Sequence, residues 1–585
     1  MGNVVNPHRR VVEDLKIRNK DNMNTVAGEY FGATYTYAET FQMFEEYKKA
    51  FLTIDGSNEG AITISAPSTI ASVNAFYGAI DANKIANMIG PGFLNAFTDK
   101  YTVGLNSRTL FVFDGFLSDD LISRLKMVGV KNIVITKTTD YMNPAVKQMA
   151  IRNGLIQDND YLDGYVQRHG SLPQGINFFR MSEFAEIGKT RTKCYDFPYS
   201  QKHVAAYFLT GATTSQYPKC VKLYEDGLTI MARIYDALWF DFEPGDRNTV
   251  FIPIFYATGA VHGIHAGLFD GMTLIYKPKY DRFAFGKDLS DSKAKLTIVT
   301  PSHVATLCDS TLPDNSLNHL KYIFIGGEAI TPAQMEKFRQ AAKRLGIQYI
   351  LNGYGMTETG SMSGVSDKDN DDDSDVTITP VPGVEYRIVD QETKKRVLPD
   401  NTRGILEKKS PCAMAGYTDE EKDRQLFTND GWIHTGDVAI RYSSGKYRVF
   451  GRSTDSFTNS GVTYPMFDIE EEVMKHPGVS EAEVIKYEHD GDEYPVIVVV
   501  PRNEWRDKLD TILSEVSSIE TPGIRHLMGV AFIQAFKTNA ITSKRDVYGL
   551  PNEIKYVYLR EGNELLRISV DELHHREKAD FISFQ

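Results

Sequence analysis

The chain has 585 residues and 42% hydrophobic content, enough for more than one core and so for two or more domains. Its formal net charge of −12 excludes a nucleic-acid surface, because phosphate binding needs clustered Lys and Arg. No run approaches the roughly 18–20 apolar residues of a membrane span. The start, Met1-Gly2-Asn3-Val4-Val5-Asn6-Pro7, leads into charged residues and lacks an apolar signal core. The four cysteines (Cys194, Cys220, Cys308, Cys412) stand far apart, as expected in a reduced compartment. The expectation is a cytoplasmic protein without a nucleic-acid partner.

In chain order, Ala61–Ser65, Leu110–Phe113 and Asn132–Thr136 read as strands, with a helical segment over Leu117–Met127 between them. Leu296–Thr300 and Tyr322–Ile325 continue the strand pattern, the second followed by Gly326-Gly327-Glu328. A helix over Pro332–Leu345 leads into a strand at Tyr349-Ile350-Leu351 and then a Gly-rich turn. Such alternation predicts an α/β fold with largely parallel, buried sheets and a ligand at the carboxyl ends of the strands. The acidic tract Asp367–Asp375 has no glycine or glutamate where a calcium loop needs them and reads as a solvated loop. From Gly451 onward a smaller unit is expected, with strands Val484–Tyr487 and Tyr494–Val500 and a helix Glu504–Val516.

The stretch Asn352-Gly353-Tyr354-Gly355-Met356-Thr357-Glu358-Thr359 carries the most chemical information. Its glycines let the backbone approach a flat ligand, and Tyr354 offers a ring to stack on. Thr357 supplies a hydroxyl for a phosphate and Glu358 a carboxylate for a hard cation. Upstream, Phe208-Leu209-Thr210-Gly211-Ala212-Thr213-Thr214-Ser215-Gln216-Tyr217-Pro218-Lys219 is rich in hydroxyls and ends in a point charge, as a phosphate-wrapping loop requires. Downstream come Trp432-Ile433-His434-Thr435-Gly436-Asp437 and Gly451-Arg452. The first presents a carboxylate after a tight Gly turn, and the second a guanidinium for ribose or phosphate oxygens.

In this order the motifs resemble those of the adenylate-forming enzymes: acyl-CoA synthetases, peptide-synthetase adenylation domains and luciferases. The resemblance runs from about Tyr35 to Lys544. It implies a large multi-sheet N-terminal domain (1–452), a small mobile α+β domain (453–546) with its hinge at Thr454, and a C-terminal extension (547–585). It also implies that ATP and Mg²⁺ are used to convert a carboxylic acid into an acyl-adenylate with release of pyrophosphate. Transfer to CoA or to a carrier-protein phosphopantetheine follows. Loading of a carrier protein by a stand-alone adenylation enzyme, a luciferase-like oxidase and an inactive binding homologue are the alternatives.

The roles implied for this chain are specific. Glu358 holds the metal, and Thr357, Thr210, Gly211, Thr213, Thr214 and Lys219 meet the phosphates. Gly327, Glu328, Asn352, Gly353 and Tyr354 receive the nucleotide, and Asp437 and Arg452 the ribose. Gly461 lies by the thiol tunnel. The phosphate loop departs from the family pattern, with two extra residues before Pro218 and Cys220 where glycine is common. Lys544, in Ala540-Ile541-Thr542-Ser543-Lys544, matches the mobile catalytic lysine, with Lys537 as its rival. Tyr256, Thr258, Gly259 and Met356 are expected to line the acid pocket. Tyr256 stands where the family's amino-acid-activating members place an aspartate, so the acid is expected to be aliphatic or aromatic rather than an α-amino acid.

Overall fold

The computed structural model describes residue 4 and residues 6–519, apart from 58, 157–159, 194, 211–217, 369–371, 373, 420, 422, 424, 425, 490 and 491. Beyond 519 it describes the strands 529–532, 556–561 and 564–569.

The N-terminal part is built on two sheets. In a seven-stranded sheet, Asn177–Arg180, Asn132–Thr136, Ser107–Phe113, Ala61–Ser65, Ile85–Met88 and Val204–Leu209 run parallel. Cys220–Tyr224 closes it antiparallel. Ala61–Ser65 and Asn132–Thr136 are buried at every position, as strands covered on both faces must be. Within the first run the Thr63 hydroxyl donates to Ser107 Oγ at 2.8 Å. The second sheet has nine strands, with a parallel centre of Tyr349–Met356, Tyr322–Ile325, Leu296–Val299, Arg247–Val250, Thr273–Tyr276 and Val26–Tyr30.

Helix ends follow local sequence. Pro332–Leu345 starts on a reciprocal cap between Thr331 and Gln334 and stops at Gly346, whose φ is +82°. Met335, Phe338, Ala342 and Leu345 form its buried stripe. The segment expected as a helix over Leu117–Met127 forms as Asp119–Val128, because Ser118 accepts from the Leu121 N–H and so fixes the start.

A four-stranded antiparallel sheet, Glu385–Val389, Arg403–Lys409, Ile433–Arg441 and Tyr447–Arg452, follows. The hairpin Ser456–Asn459/Val462–Pro465 then leads to the helix Met466–Met474 and a five-stranded sheet. Val479–His489 and Asp492–Pro501 are its long pair, and Tyr556–Glu561 and Glu564–Ser569, within the expected extension, continue it. The helix expected over Glu504–Val516 begins only at Leu509. Ahead of it a single turn, Asn503–Trp505, sets the Trp505 indole against Gly478 and the His476 ring. Large and small parts meet where the Lys337 ammonium donates to the carbonyls of Met474 (2.7 Å), Val479 (2.9 Å) and His476 (3.2 Å). Among the described residues no helix is long and apolar enough to cross a membrane.

Candidate active site

A cleft of about 750 Å³ lies at the carboxyl ends of the central parallel strands, between them and the four-stranded sheet. Its volume suits a small organic ligand. Gly326, Gly327 and Glu328 reach it directly after the strand Tyr322–Ile325. Gly327 has φ +96°, a conformation that a side chain would strain.

The expected turn at Asn352–Gly355 is a strand. Tyr349–Met356 continues through it, paired antiparallel to Ser361–Val365 with a bulge between Tyr354 and Gly355. The glycines serve close packing: a Cβ on Gly353 would lie 1.9 Å from the Phe324 ring, and one on Gly355 1.5 Å from the Ser361 carbonyl oxygen. Asn352 is tied down by its side chain, which donates to the Val376 carbonyl at 2.6 Å. Gly353, Tyr354, Met356 and Thr357 consequently face the cleft.

Asp437 and Arg452 are cross-strand partners in the antiparallel pair Ile433–Arg441/Tyr447–Arg452, which is why two motifs far apart in sequence converge. Arg452 Nε lies 3.2 Å from Asp437 Oδ1, and the Tyr354 hydroxyl donates to Asp437 Oδ2. Burial first and then the Asp437 charge push the Tyr354 phenol well above its ordinary range, so it stays protonated and donates. Arg452 also donates to the Thr435 carbonyl at 2.5 Å. Gly436, expected to make a tight turn, lies within the strand at φ +77°.

Glu358 is 6% exposed, and its Oε1 accepts from the Tyr417 hydroxyl at 2.6 Å. The Lys219 ammonium sits 5.2 Å from the centroid of the same Tyr417 ring. Thr210 and Lys219 close the base of a hairpin, with the Thr210 N–H donating to the Lys219 carbonyl at 2.9 Å. Tyr417 thereby links Lys219 to the Glu358 carboxylate, a connection absent from the motif reading.

Thr258 and Thr454 line the same cleft. Tyr256 and Gly259 do not. Tyr256 packs against Phe255 with ring centroids 4.9 Å apart. A Cβ on Gly259 would meet the Pro253 carbonyl oxygen at 2.2 Å, so this glycine serves helix packing. Gly461 sits at the tip of the hairpin Ser456–Asn459/Val462–Pro465 with open space around it, away from the cleft lining. Gly211, Thr213, Thr214, Lys537 and Lys544 lie outside the described residues.

Two further side chains belong to this region. Lys408 is fully buried, with its ammonium 4.9 Å from the Tyr354 ring centroid and donating to Ser363 Oγ at 2.9 Å. Burial lowers its pKa to about 7. Nothing in the run Glu407-Lys408-Lys409 signals burial; Glu407 and Lys408 are buried because tertiary structure covers both faces of their strand. His262 forms part of the cleft wall on the wide-turned helix Thr258–Ala266.

The match to known proteins agrees with this architecture. Residues 15–418 match the AMP-binding enzyme family. A luciferin 4-monooxygenase of Nipponoluciola cruciata is 26% identical over 66% of this chain and 68% of its own length. A long-chain-fatty-acid–CoA ligase of Escherichia coli is 23% identical over 76% and 78%. A benzoate CoA ligase from Burkholderia xenovorans shares the fold at a TM-score of 0.71, with 19% identity over 91% of this chain and 98% of that one. Its fold is that of a large multi-sheet α/β part followed by a smaller C-terminal part, as in the CoA ligases. The chain belongs to the AMP-binding family of adenylate-forming enzymes.

Proposed function

We propose that this enzyme activates an aliphatic or aromatic carboxylic acid with ATP and passes the acyl group to a thiol, that of CoA or of a carrier-protein phosphopantetheine. A carboxylate oxygen attacks the α-phosphorus, the bond to the bridging oxygen breaks, and pyrophosphate leaves. The thiol then attacks the acyl carbon and AMP departs. The observation that carries this reading is the convergence of Tyr354, Asp437 and Arg452 on one side of the cleft with Glu358 and Lys219 beside it.

In this reading Tyr354 takes the adenine face, with its hydroxyl locked on Asp437. Asp437 and Arg452 hold the ribose, and Thr210 and Lys219 meet the phosphates. Charge at the α-phosphate is met by positioned donors that need no reorganisation. Among the described residues no group of three or more His, Cys, Asp or Glu side chains is placed to hold a metal ion. A magnesium site here fits one protein carboxylate, Glu358, completed by phosphate oxygens, which is how Mg²⁺ is usually bound with nucleotides. When bound, the ion neutralises phosphate charge. The small part, from about residue 453, turns about Thr454 between the two half-reactions.

Acid-dependent exchange of labelled pyrophosphate into ATP tests the reading. Glu358→Gln keeps the shape and loses the charge, and the expected loss of exchange is about 10²–10³-fold with the thermal unfolding curve retained. Unchanged exchange at saturating Mg²⁺ would remove Glu358 from this role. CoA and phosphopantetheinylated carrier proteins offered as rival acceptors decide the second step, and oxygen uptake separates a luciferase-like fate.

A further inference from the structure

Tyr354 is fastened to the fold from several sides. Its hydroxyl donates to Asp437 Oδ2, and its carbonyl accepts from the Ser363 hydroxyl at 3.3 Å. The Tyr386 ring meets it edge-on with centroids 6.1 Å apart, and the Lys408 ammonium stands 4.9 Å from its centroid. Tyr354 lines the cleft, whereas Lys408, Ser363 and Tyr386 do not, so these three back the ring on its buried side. Ser363 joins them. It is the extra residue of the bulge opposite Tyr354 and Gly355, and its hydroxyl accepts from Lys408 at 2.9 Å and from Tyr386 at 2.8 Å while donating to Tyr354. Two accepted bonds and one donated exhaust a hydroxyl. Bulges of this kind re-aim a side chain beside a site.

The hydroxyl contact alone does not orient the ring. It lies on the axis from Cβ to the phenolic oxygen, and rotation about that axis swings the ring faces while the bond survives. What touches the buried face sets its direction, and that is Lys408, an ammonium drawn to the ring the more strongly for being away from water. Packing does not account for a lysine here. The side chain is fully buried, burial lowers its ammonium to about 7, and a methionine would fill the space without that cost. Asp437 and Glu358 favour its charge and Arg452 opposes it.

We propose that Lys408, joined to Ser363, is a positioning residue that holds the face of the Tyr354 ring in place for the adenine base. The inference rests on the reading of Tyr354 as the adenine platform. Lys408 touches no substrate; it acts through Tyr354, sparing nucleotide binding the cost of ordering that ring. Its effect therefore falls on the base and not on the ribose, the phosphates or the acid.

AMP and ribose 5-phosphate differ by the base, so calorimetric binding of the two to the full chain isolates its contribution. Lys408→Met should weaken AMP binding about 3–10-fold and leave ribose 5-phosphate within about twofold. In pyrophosphate exchange the KM for ATP should rise in step with kcat little changed, and the urea midpoint at pH 7 should not fall. A merely structural lysine would lower the midpoint and spare the base. Ser363→Ala cuts the same link with little change of volume; it should act in the same direction, and it decides the matter where the methionine variant fails to fold. AMP binding unchanged in the variants, or equal losses for AMP and ribose 5-phosphate, would overturn the inference. Tyr354→Leu separates the two readings. If it leaves the preference for AMP over ribose 5-phosphate intact, the platform reading and this inference fall together. If that preference collapses in Tyr354→Leu but stands undiminished in Lys408→Met, only this inference falls.

Discussion

Lys408 shows how one side chain can carry more physics than its sequence context suggests. Its ammonium lies behind the Tyr354 ring, faced by Asp437, Glu358 and Arg452. The folded pKa of about 7 is below the ordinary 10.5 because burial disfavours the charge. Between these values the unfolded chain binds the extra proton, so this residue makes stability rise with pH across the window from about 7 to 10.5. Below about 7 both states hold the proton, and the full cost of burying it remains. Lys408→Met should therefore flatten the stability–pH curve, gaining about 1–3 kcal/mol relative to wild type at pH 6 and least at pH 10. Urea unfolding at several pH values checks this; parallel curves for the two proteins would show that Lys408 does not titrate as described.

At the scale of elements, the contact between the helices Pro332–Leu345 and Met466–Met474 is held by one cation. Lys337 reaches three carbonyls at and just beyond the end of the second helix, of which that of His476 also accepts from the Val479 N–H at 3.1 Å. Burial lowers this lysine to about 8, the sign of a site where its charge is expensive unless hydrogen-bonded. Lys337→Met should take the ammonium donor away from those carbonyls, weakening the contact by about 1–3 kcal/mol. Faster amide hydrogen exchange across 466–479, with the strands of the nine-stranded sheet unchanged, is the expected result. Equal exchange in both proteins would mean the helices stay docked without it.

For the whole molecule, the central question is which groups act in which half-reaction. Lys544 lies outside the described residues, and its role is proposed from the resemblance of its segment alone. A lysine that acts only when the small part is turned toward the nucleotide stabilises one transition state and not the other. Lys544→Ala should slow adenylation about 10²–10³-fold while thioester formation from a supplied acyl-adenylate hardly changes. Lys537→Ala should alter neither half-reaction by more than about threefold. The reverse pattern would move the assignment to Lys537. Normal adenylation by both variants would show that this enzyme works without that lysine.

The sequence by itself determined the alternation of buried strands and helices, the extent of Pro332–Leu345, and the succession of motifs that marks the family. These depend on local rules: β-branched runs, caps at Thr331 and Gly346, and spacing that no distant residue alters. Tertiary structure decided the rest. Gly353 and Gly355 look like turn residues, yet the neighbouring Phe324 ring and Ser361 carbonyl make them strand positions, which no local pattern could announce. Asp437 and Arg452 meet because two strands pair in one register, and Tyr354 joins them from another sheet. Tyr256 and Gly259 are plausible pocket residues by position, but Thr258 and His262 of the wide-turned helix form the cleft wall in their place. Burial turned Lys408, Tyr417 and His262 from ordinary polar residues into parts of the site. Burial and the partner across a cleft are properties of the folded chain as a whole, and a sequence read in windows contains neither.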